Sequence, residues 1–167
     1  MNNIYTSLID TPLGKMRASC KEETITGLWF EGQKYYPDTN EWIEAGENEI
    51  FKLLKIWLHE YFAGRQKAHN FLLSPSGTPF QIKVWEILRQ IKYGQSMSYG
   101  DIAKLLSCNS SKMSAQAVGG AVGHNPISIL IPCHRVLGAN GALTGYAGGI
   151  DKKQFLLKLE RMHEAER

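Results

Sequence analysis

Cysteine is scarce in this chain, and what there is of it is scattered. Cys20, Cys108 and Cys133 are an odd number with no Cys-x-x-Cys spacing, which argues against a disulfide framework and against a zinc site built from cysteine pairs. Free thiols and no bound metal are expected. No apolar stretch approaches the roughly twenty residues that a membrane-spanning helix needs, so no membrane partner is expected. There is no internal repeat and no low-complexity tract. The opening Met1-Asn2-Asn3-Ile4-Tyr5 lacks the basic and then apolar layout of a secretion signal, and the expected compartment is the cytoplasm. The glycine-rich stretch Thr144-Gly145-Tyr146-Ala147-Gly148-Gly149 is not a dinucleotide fingerprint, because its spacing is wrong and no strand-to-helix context fits.

A surplus of one charge is also missing, but the net +3 hides an uneven distribution. Residues 1–79 hold 8 Lys+Arg against 10 Asp+Glu, and residues 80–167 hold 11 against 6. An anionic partner would meet the second half; an unevenly charged solvated surface is the plainer alternative. At 43% hydrophobic residues the chain can bury a core as one domain or as two small ones.

Short runs rich in β-branched and aromatic residues, Ile4 to Leu8, Lys15 to Cys20 and Ile25 to Phe30, are separated by turn-forming residues and read as an antiparallel meander. After a polar stretch, Ile50, Phe51, Leu54, Trp57, Leu58 and Tyr61 recur at helical spacing, with Gly64 as the stop. Ser74-Pro75-Ser76-Gly77 has linker chemistry and divides the chain into 1–76 and 77–167. Thr78-Pro79-Phe80-Gln81 then forms a capping box. Phe80, Val84, Leu88 and Ile91 follow on one face up to Gly94, with Trp85 expected in the core. Ser98 to Asp101 starts a short helix, and the polar turn Ser107 to Lys112 leads to a second, Ser114 to Val122, the outline of a helix-turn-helix. That second helix is nearly all Ala, Gly and Val, although each glycine costs it about 0.5–1 kcal/mol relative to alanine. Either it packs tightly in the core or another surface must come very close. Ile127 to Ile131 reads as a short buried strand or extended segment, and Asp151 as the cap of a last helix with Phe155, Leu156 and Leu159 facing inward and Glu160 beside them. The fold class is thus α+β: a small N-terminal antiparallel sheet with a helix, then a mainly helical domain.

The apolar run Ile129-Leu130-Ile131 passes through Pro132 straight into Cys133-His134-Arg135, so a nucleophile, a base and a cation emerge together from the core. A proline before Cys133 makes its approach extended, and His134 and Arg135 can favour a thiolate. Adjacent residues on an extended segment point apart, so a bridging water is the simplest link from Cys133 to His134. Glu160 is the carboxylate expected against the other imidazole nitrogen. Cys20 and Cys108 lack such a setting and are expected to be packing residues.

These residues carry a family resemblance. Ile131-Pro132-Cys133-His134-Arg135-Val136, with Ala117-Val118-Gly119-Gly120-Ala121, Asn125-Pro126 and Gly145-Tyr146-Ala147-Gly148-Gly149, resembles the O6-alkylguanine-DNA alkyltransferases over about Phe80 to Glu160. The first half resembles that family's N-terminal domain in outline. The resemblance implies single-turnover transfer of an alkyl group from guanine O6 in double-stranded DNA to Cys133, by a monomer without cofactor. It makes His134 a water-linked base, Glu160 its orienting carboxylate and Asn125 a brace for the segment before the cysteine. Tyr99 would turn the target's phosphate and protonate the departing guanine. Val136, Tyr146 and Ala147 would line the base pocket. Ser114, Ala115, Gln116, Ala117, Gly119 and Arg135 would face DNA. Gln116 stands where the family often carries an arginine, and weaker duplex binding is expected. A non-catalytic recognition protein would lack the cysteine, a helix-turn-helix regulator would want polar side chains on its second helix, and a thiol hydrolase would turn over.

Overall fold

The computed structural model describes residues 3–107 and 113–164, so Cys108 and most of the expected turn between the two short helices lie outside the described residues. Strands β1 (Tyr5–Thr11), β2 (Gly14–Lys21) and β3 (Thr24–Phe30) form the expected antiparallel meander. A fourth strand, β4 (Ile43–Glu44), pairs parallel with β1 and gives the order β3-β2-β1-β4. Two residues carry no alternation, so nothing in the polar stretch announced it. Helix α1 (Glu49–Phe62) is capped by Asn48, whose side chain accepts from the Ile50 N–H, and ends before Gly64, whose φ of +80° suits glycine. Phe51, Leu54 and Leu58 of α1 share one core with Ile9, Met16 and Leu28 of the sheet.

In the second half, Thr78 and Gln81 form the expected reciprocal cap of α2 (Pro79–Leu88), and Trp85 is buried with its indole N–H donating to Ala121 O at 2.9 Å. The helix stops at Leu88 rather than running to Gly94: Gln90 and Ile91 donate to Ile87 O and Leu88 O in a tighter turn that drives Ile91 inward. Strand β5 (Met97–Ser98) leads into α3 (Tyr99–Leu106), and Ser98 with Asp101 again forms a capping box. Helix α4 (Ala115–Gly123) is capped by Ser114 and packs Val118, Ala121 and Val122 inward.

The segment before the cysteine is not a strand. Ile127 makes one bridge to Leu28, after which the chain turns, with Ile129 at φ +70° and Ile131 N–H donating to Ile127 O at 3.0 Å. The apolar side chains are buried as expected, but a turn stitched by Asn125 buries them. Strand β6 (Val136–Leu137) pairs parallel with β5. The last helix, α5 (Ile150–His163), is entered through Gly149 at φ +104°, so Asp151 lies inside the first turn and its side chain makes no cap. Phe155 is 40% exposed instead of facing inward, its ring tilted 49° to that of Phe62 with centroids 6.3 Å apart, while Leu156 and Leu159 are buried. The two halves are tied by Leu28 N–H to Pro126 O at 2.8 Å and Ser128 N–H to Leu28 O at 2.9 Å.

Candidate active site

Cys133 opens a 3-10 turn, Cys133–Arg135, directly after Pro132 at φ −81° and ψ 66°, rather than continuing an extended strand. Its N–H donates to Ile131 O at 2.8 Å. Asn125 sets this geometry: its amide nitrogen donates to Ile131 O at 2.8 Å, and its carbonyl accepts from Ile127 N–H at 3.0 Å. Both bonds are buried, so replacing either partner would leave a buried polar group unsatisfied. The cysteine is 5% exposed, and that small exposure opens onto a cavity of about 590 Å³. Cavities of this size take small organic ligands, for which about 300–1,000 Å³ is usual.

Burial pushes the Cys133 thiol above its ordinary value; Asn125, Lys153 and Tyr146 pull the other way without overcoming it. The cation near the sulfur is therefore Lys153, not Arg135 as the sequence suggested. Lys153 is fully buried, and its ammonium donates to Thr144 O at 3.2 Å and Gly145 O at 3.3 Å, tying α5 to the glycine-rich loop. A lysine on a helix reads as surface in a sequence, and nothing else in the pattern singled it out. Tyr146 is half-buried, with its buried hydroxyl beside the thiol.

Behind the cysteine lies a buried ionic cluster. Glu160 Oε2 accepts from His134 Nε2 at 2.6 Å and from the Tyr61 hydroxyl at 2.5 Å; Arg135 reaches both carboxylate oxygens, at 2.8 and 3.0 Å. Burial alone would raise the Glu160 pKa, but His134 and Arg135 outweigh it and hold the carboxylate well below its usual range. Burial lowers the His134 pKa against the opposing pull of Glu160, which keeps the imidazole neutral near pH 7. A neutral ring that donates through Nε2 carries its lone pair on Nδ1. That Nδ1 is buried and has no hydrogen-bond partner among the described residues. Arg135, expected to face DNA, is 7% exposed and also donates through Nη1 to Ile91 O at 2.5 Å. A carboxylate across the core holds it, so it belongs to the interior behind the cysteine and not to the surface. Tyr61 comes from the first half, and no local signal connects it to a glutamate 99 positions away.

The cavity is walled on one side by α4 and on another by the glycine-rich loop. Ala115, Gln116, Gly119, Tyr99, Tyr146 and Ala147 all line it. Val136 does not: it is fully buried in β6, beneath the site. Ser114 and Ala117 are exposed on α4 but outside the cavity, with Ser114 Oγ accepting from Ala117 N–H. The composition of α4 is explained by its two faces. Val118, Ala121 and Val122 pack inward, while a Cβ added at Gly120 or Gly123 would meet nothing within 4 Å. Core packing therefore does not require those glycines; their effect is a low outer face beside the cavity. From the first half, Lys34 and Tyr35 reach the same cavity, two residues the sequence gave no reason to pick out.

Two family models match the chain. Residues 4–75 match the ribonuclease-like domain of 6-O-methylguanine DNA methyltransferase, and residues 79–162 match the DNA binding domain of the same protein. A methylated-DNA–protein-cysteine methyltransferase of Haemophilus influenzae is 40% identical over 163 residues, covering 97% of this chain and 89% of the relative. The constitutive methylated-DNA–protein-cysteine methyltransferase of Bacillus subtilis is 43% identical, with 99% of each chain covered. Among solved structures, Mycobacterium tuberculosis OGT in complex with DNA superimposes with a TM-score of 0.85 at 38% identity, covering 96% of this chain and 94% of that one.

Proposed function

Because the chain belongs to the 6-O-methylguanine DNA methyltransferase family, we propose that its cavity receives an O6-alkylated guanine swung out of duplex DNA, and that Cys133 is the atom that takes the alkyl group. The protein is a DNA-repair methyltransferase, and its partner is DNA. The observation that carries the site assignment is the juxtaposition of a buried thiol, in the lining of a cavity large enough to admit a base, with a buried imidazole–carboxylate pair behind it.

The target atom lies inside the duplex, and extruding the base costs a few kcal/mol, less for a damaged pair. The low face of α4 lets the backbone approach a groove, with Ala115, Ala117 and Gly119 against the strand and Ser114 at the positive helix end. Gln116 fills the gap left in the stack. Tyr99 and Tyr146 hold the base from either side, and Ala147 leaves it room.

The reaction is one displacement. Sulfur forms a bond to the alkyl carbon as the carbon–O6 bond breaks, leaving a thioether on Cys133. The thiol proton passes through a water to His134 Nδ1, the lone pair that the Glu160 contact leaves free. Guanine departs with the bond's electron pair and takes a proton from the Tyr99 hydroxyl. A thioether has no easy return, so each molecule acts once. Thiolate formation is not the main source of rate. Ionising a thiol of ordinary pKa about 8.5 fully near pH 7.4 gains roughly 14-fold, and a more stable thiolate is a weaker nucleophile. Holding sulfur and carbon in line supplies about 7–11 kcal/mol. Asn125 and the turn it braces are accordingly positioning elements, and Lys153 stabilises the anion as it forms.

The two units are 1–76, a scaffold that supplies Tyr61, and 77–167, which carries the chemistry. No helix among the described residues is long and apolar enough to cross a membrane, and a cytoplasmic monomer acting without cofactor or metal is part of the same reading. The test is transfer of labelled methyl from an O6-methylguanine duplex to protein. Wild type takes label and Cys133→Ser does not; label retained in the serine variant overturns the assignment.

A further inference from the structure

The cavity has one charged side chain among its described lining residues, Lys34, and it comes from the first half of the chain. The adjacent Tyr35 holds φ at +63°, a conformation that a bulky residue adopts only when its surroundings impose it. Three contacts do so. Lys34 N–H donates to Ala147 O at 3.1 Å, fastening the segment to the glycine-rich wall of the cavity. The Gln33 side chain accepts from Phe30 N–H at 2.9 Å and donates to Lys34 O at 3.1 Å. The Tyr35 ring stacks on His124, the residue that caps α4, with centroids 3.8 Å apart and planes 22° from parallel. The segment thus spans from one wall of the cavity to the end of the other, and it carries an exposed ammonium 5.1 Å from the Tyr35 ring. Neither strain nor stack is needed to close the core, since Tyr35 is 48% exposed.

We infer that Lys34 and Tyr35 form a second DNA contact, supplied by the first half: Lys34 binds a backbone phosphate of the swung-out nucleotide, and the Tyr35–His124 stack holds it at the mouth of the cavity. This rests on the reading that the cavity receives a flipped nucleotide. A nucleotide entering here brings its phosphates to the rim, where the α4 residues that line the cavity are Ala, Gln, Gly and Val, none of them charged. Lys34 supplies the charge that this wall lacks. The first half therefore takes part in binding as well as in support.

The experiment measures duplex affinity against salt for wild type, Lys34→Ala, Lys34→Arg and Tyr35→Gly, using an oligonucleotide duplex with one O6-methylguanine. Loss of one phosphate contact lowers the slope of log K against log salt by about 0.9 and weakens binding roughly tenfold near 0.1 M salt. Lys34→Ala shows both and Lys34→Arg restores both. Tyr35→Gly, which suits the positive φ but removes the ring, binds more weakly while melting no lower than wild type. An unchanged slope in Lys34→Ala, with wild type still taking up methyl from the same duplex, overturns this inference and leaves the cavity assignment standing. A wild type that takes up no methyl overturns the reading beneath it.

Discussion

The Glu160 cluster makes the sharpest quantitative prediction. Glu160→Gln keeps the side chain's shape but removes the charge that Arg135 and His134 share. Arg135, 7% exposed, is then a buried cation without a counter-charge, and breaking such a pair by removing one partner costs about 3–5 kcal/mol. For a protein of this length each kcal/mol lowers the melting temperature by about 2–4 °C, so the variant should melt roughly 6–20 °C below wild type. Adding Arg135→Met removes the stranded cation, and the double variant should recover at least about 1 kcal/mol of the loss. The pH dependence has a fixed sign. In the folded protein Glu160 stays ionised below its ordinary value of 4.5, so on acidification the unfolded chain takes up the proton first. The stability difference between wild type and Glu160→Gln is full above that value and shrinks as pH falls through the folded pKa. Melting curves followed by circular dichroism from neutral to acid pH measure it. A variant within about 1 kcal/mol of wild type, or a gap that widens in acid, refutes the assignment of a buried, ionised hub.

Gln116→Arg places a cation on the exposed face of α4 and should tighten binding to an O6-methylguanine duplex roughly fivefold; no change or a loss in a fluorescence titration rejects that position as the gap filler. Asn125→Ala strands Ile127 N–H and Ile131 O in the core, at about 1–3 kcal/mol each. Urea denaturation should show that loss, and the methyl-transfer rate should fall with it. Lys153→Met should leave the thiol without its nearby cation, moving the alkaline limb of the rate profile to higher pH; a limb that stays in place removes Lys153 from the account. Because burial keeps His134 neutral below the ordinary histidine range, the transfer rate in wild type should hold as pH falls through 6.5 and decline only beneath it.

How far the sequence led depended on whether local chemistry decided the outcome. Helices α1, α2 and α3 could be read because their signals are written in contiguous residues: the apolar stripe and Gly64 stop of α1, and the caps Thr78 with Gln81 and Ser98 with Asp101. The two-residue strands β4, β5 and β6 could not, since their pairing comes from distant chain segments. The approach to Cys133 reads as extended by propensity, yet Asn125 folds it into a turn, so tertiary hydrogen bonding overrode the proline signal. Cys133, His134, Asn125, Tyr146 and Ala147 could be found through motifs, and Tyr99 through the family resemblance alone. Arg135 sits in one of those motifs too, and its charge pointed to DNA; only the fold shows that Glu160 claims it. Tyr61, Lys34 and Tyr35 carried no signal because each meets residues far away in sequence, and Lys153 because a lysine on a helix reads as surface until the fold buries it.

The central claim is that one sulfur receives one alkyl group and then stops. Intact-mass spectrometry after incubation with excess O6-methylguanine duplex, followed by mapping of the peptide that holds Cys133, tests it directly. The account predicts a gain of one methyl per chain, located on Cys133, with guanine formed in equal amount and no further turnover. A protein that stays unmodified while the duplex is repaired, or a methyl found on Cys20 or Cys108, contradicts it.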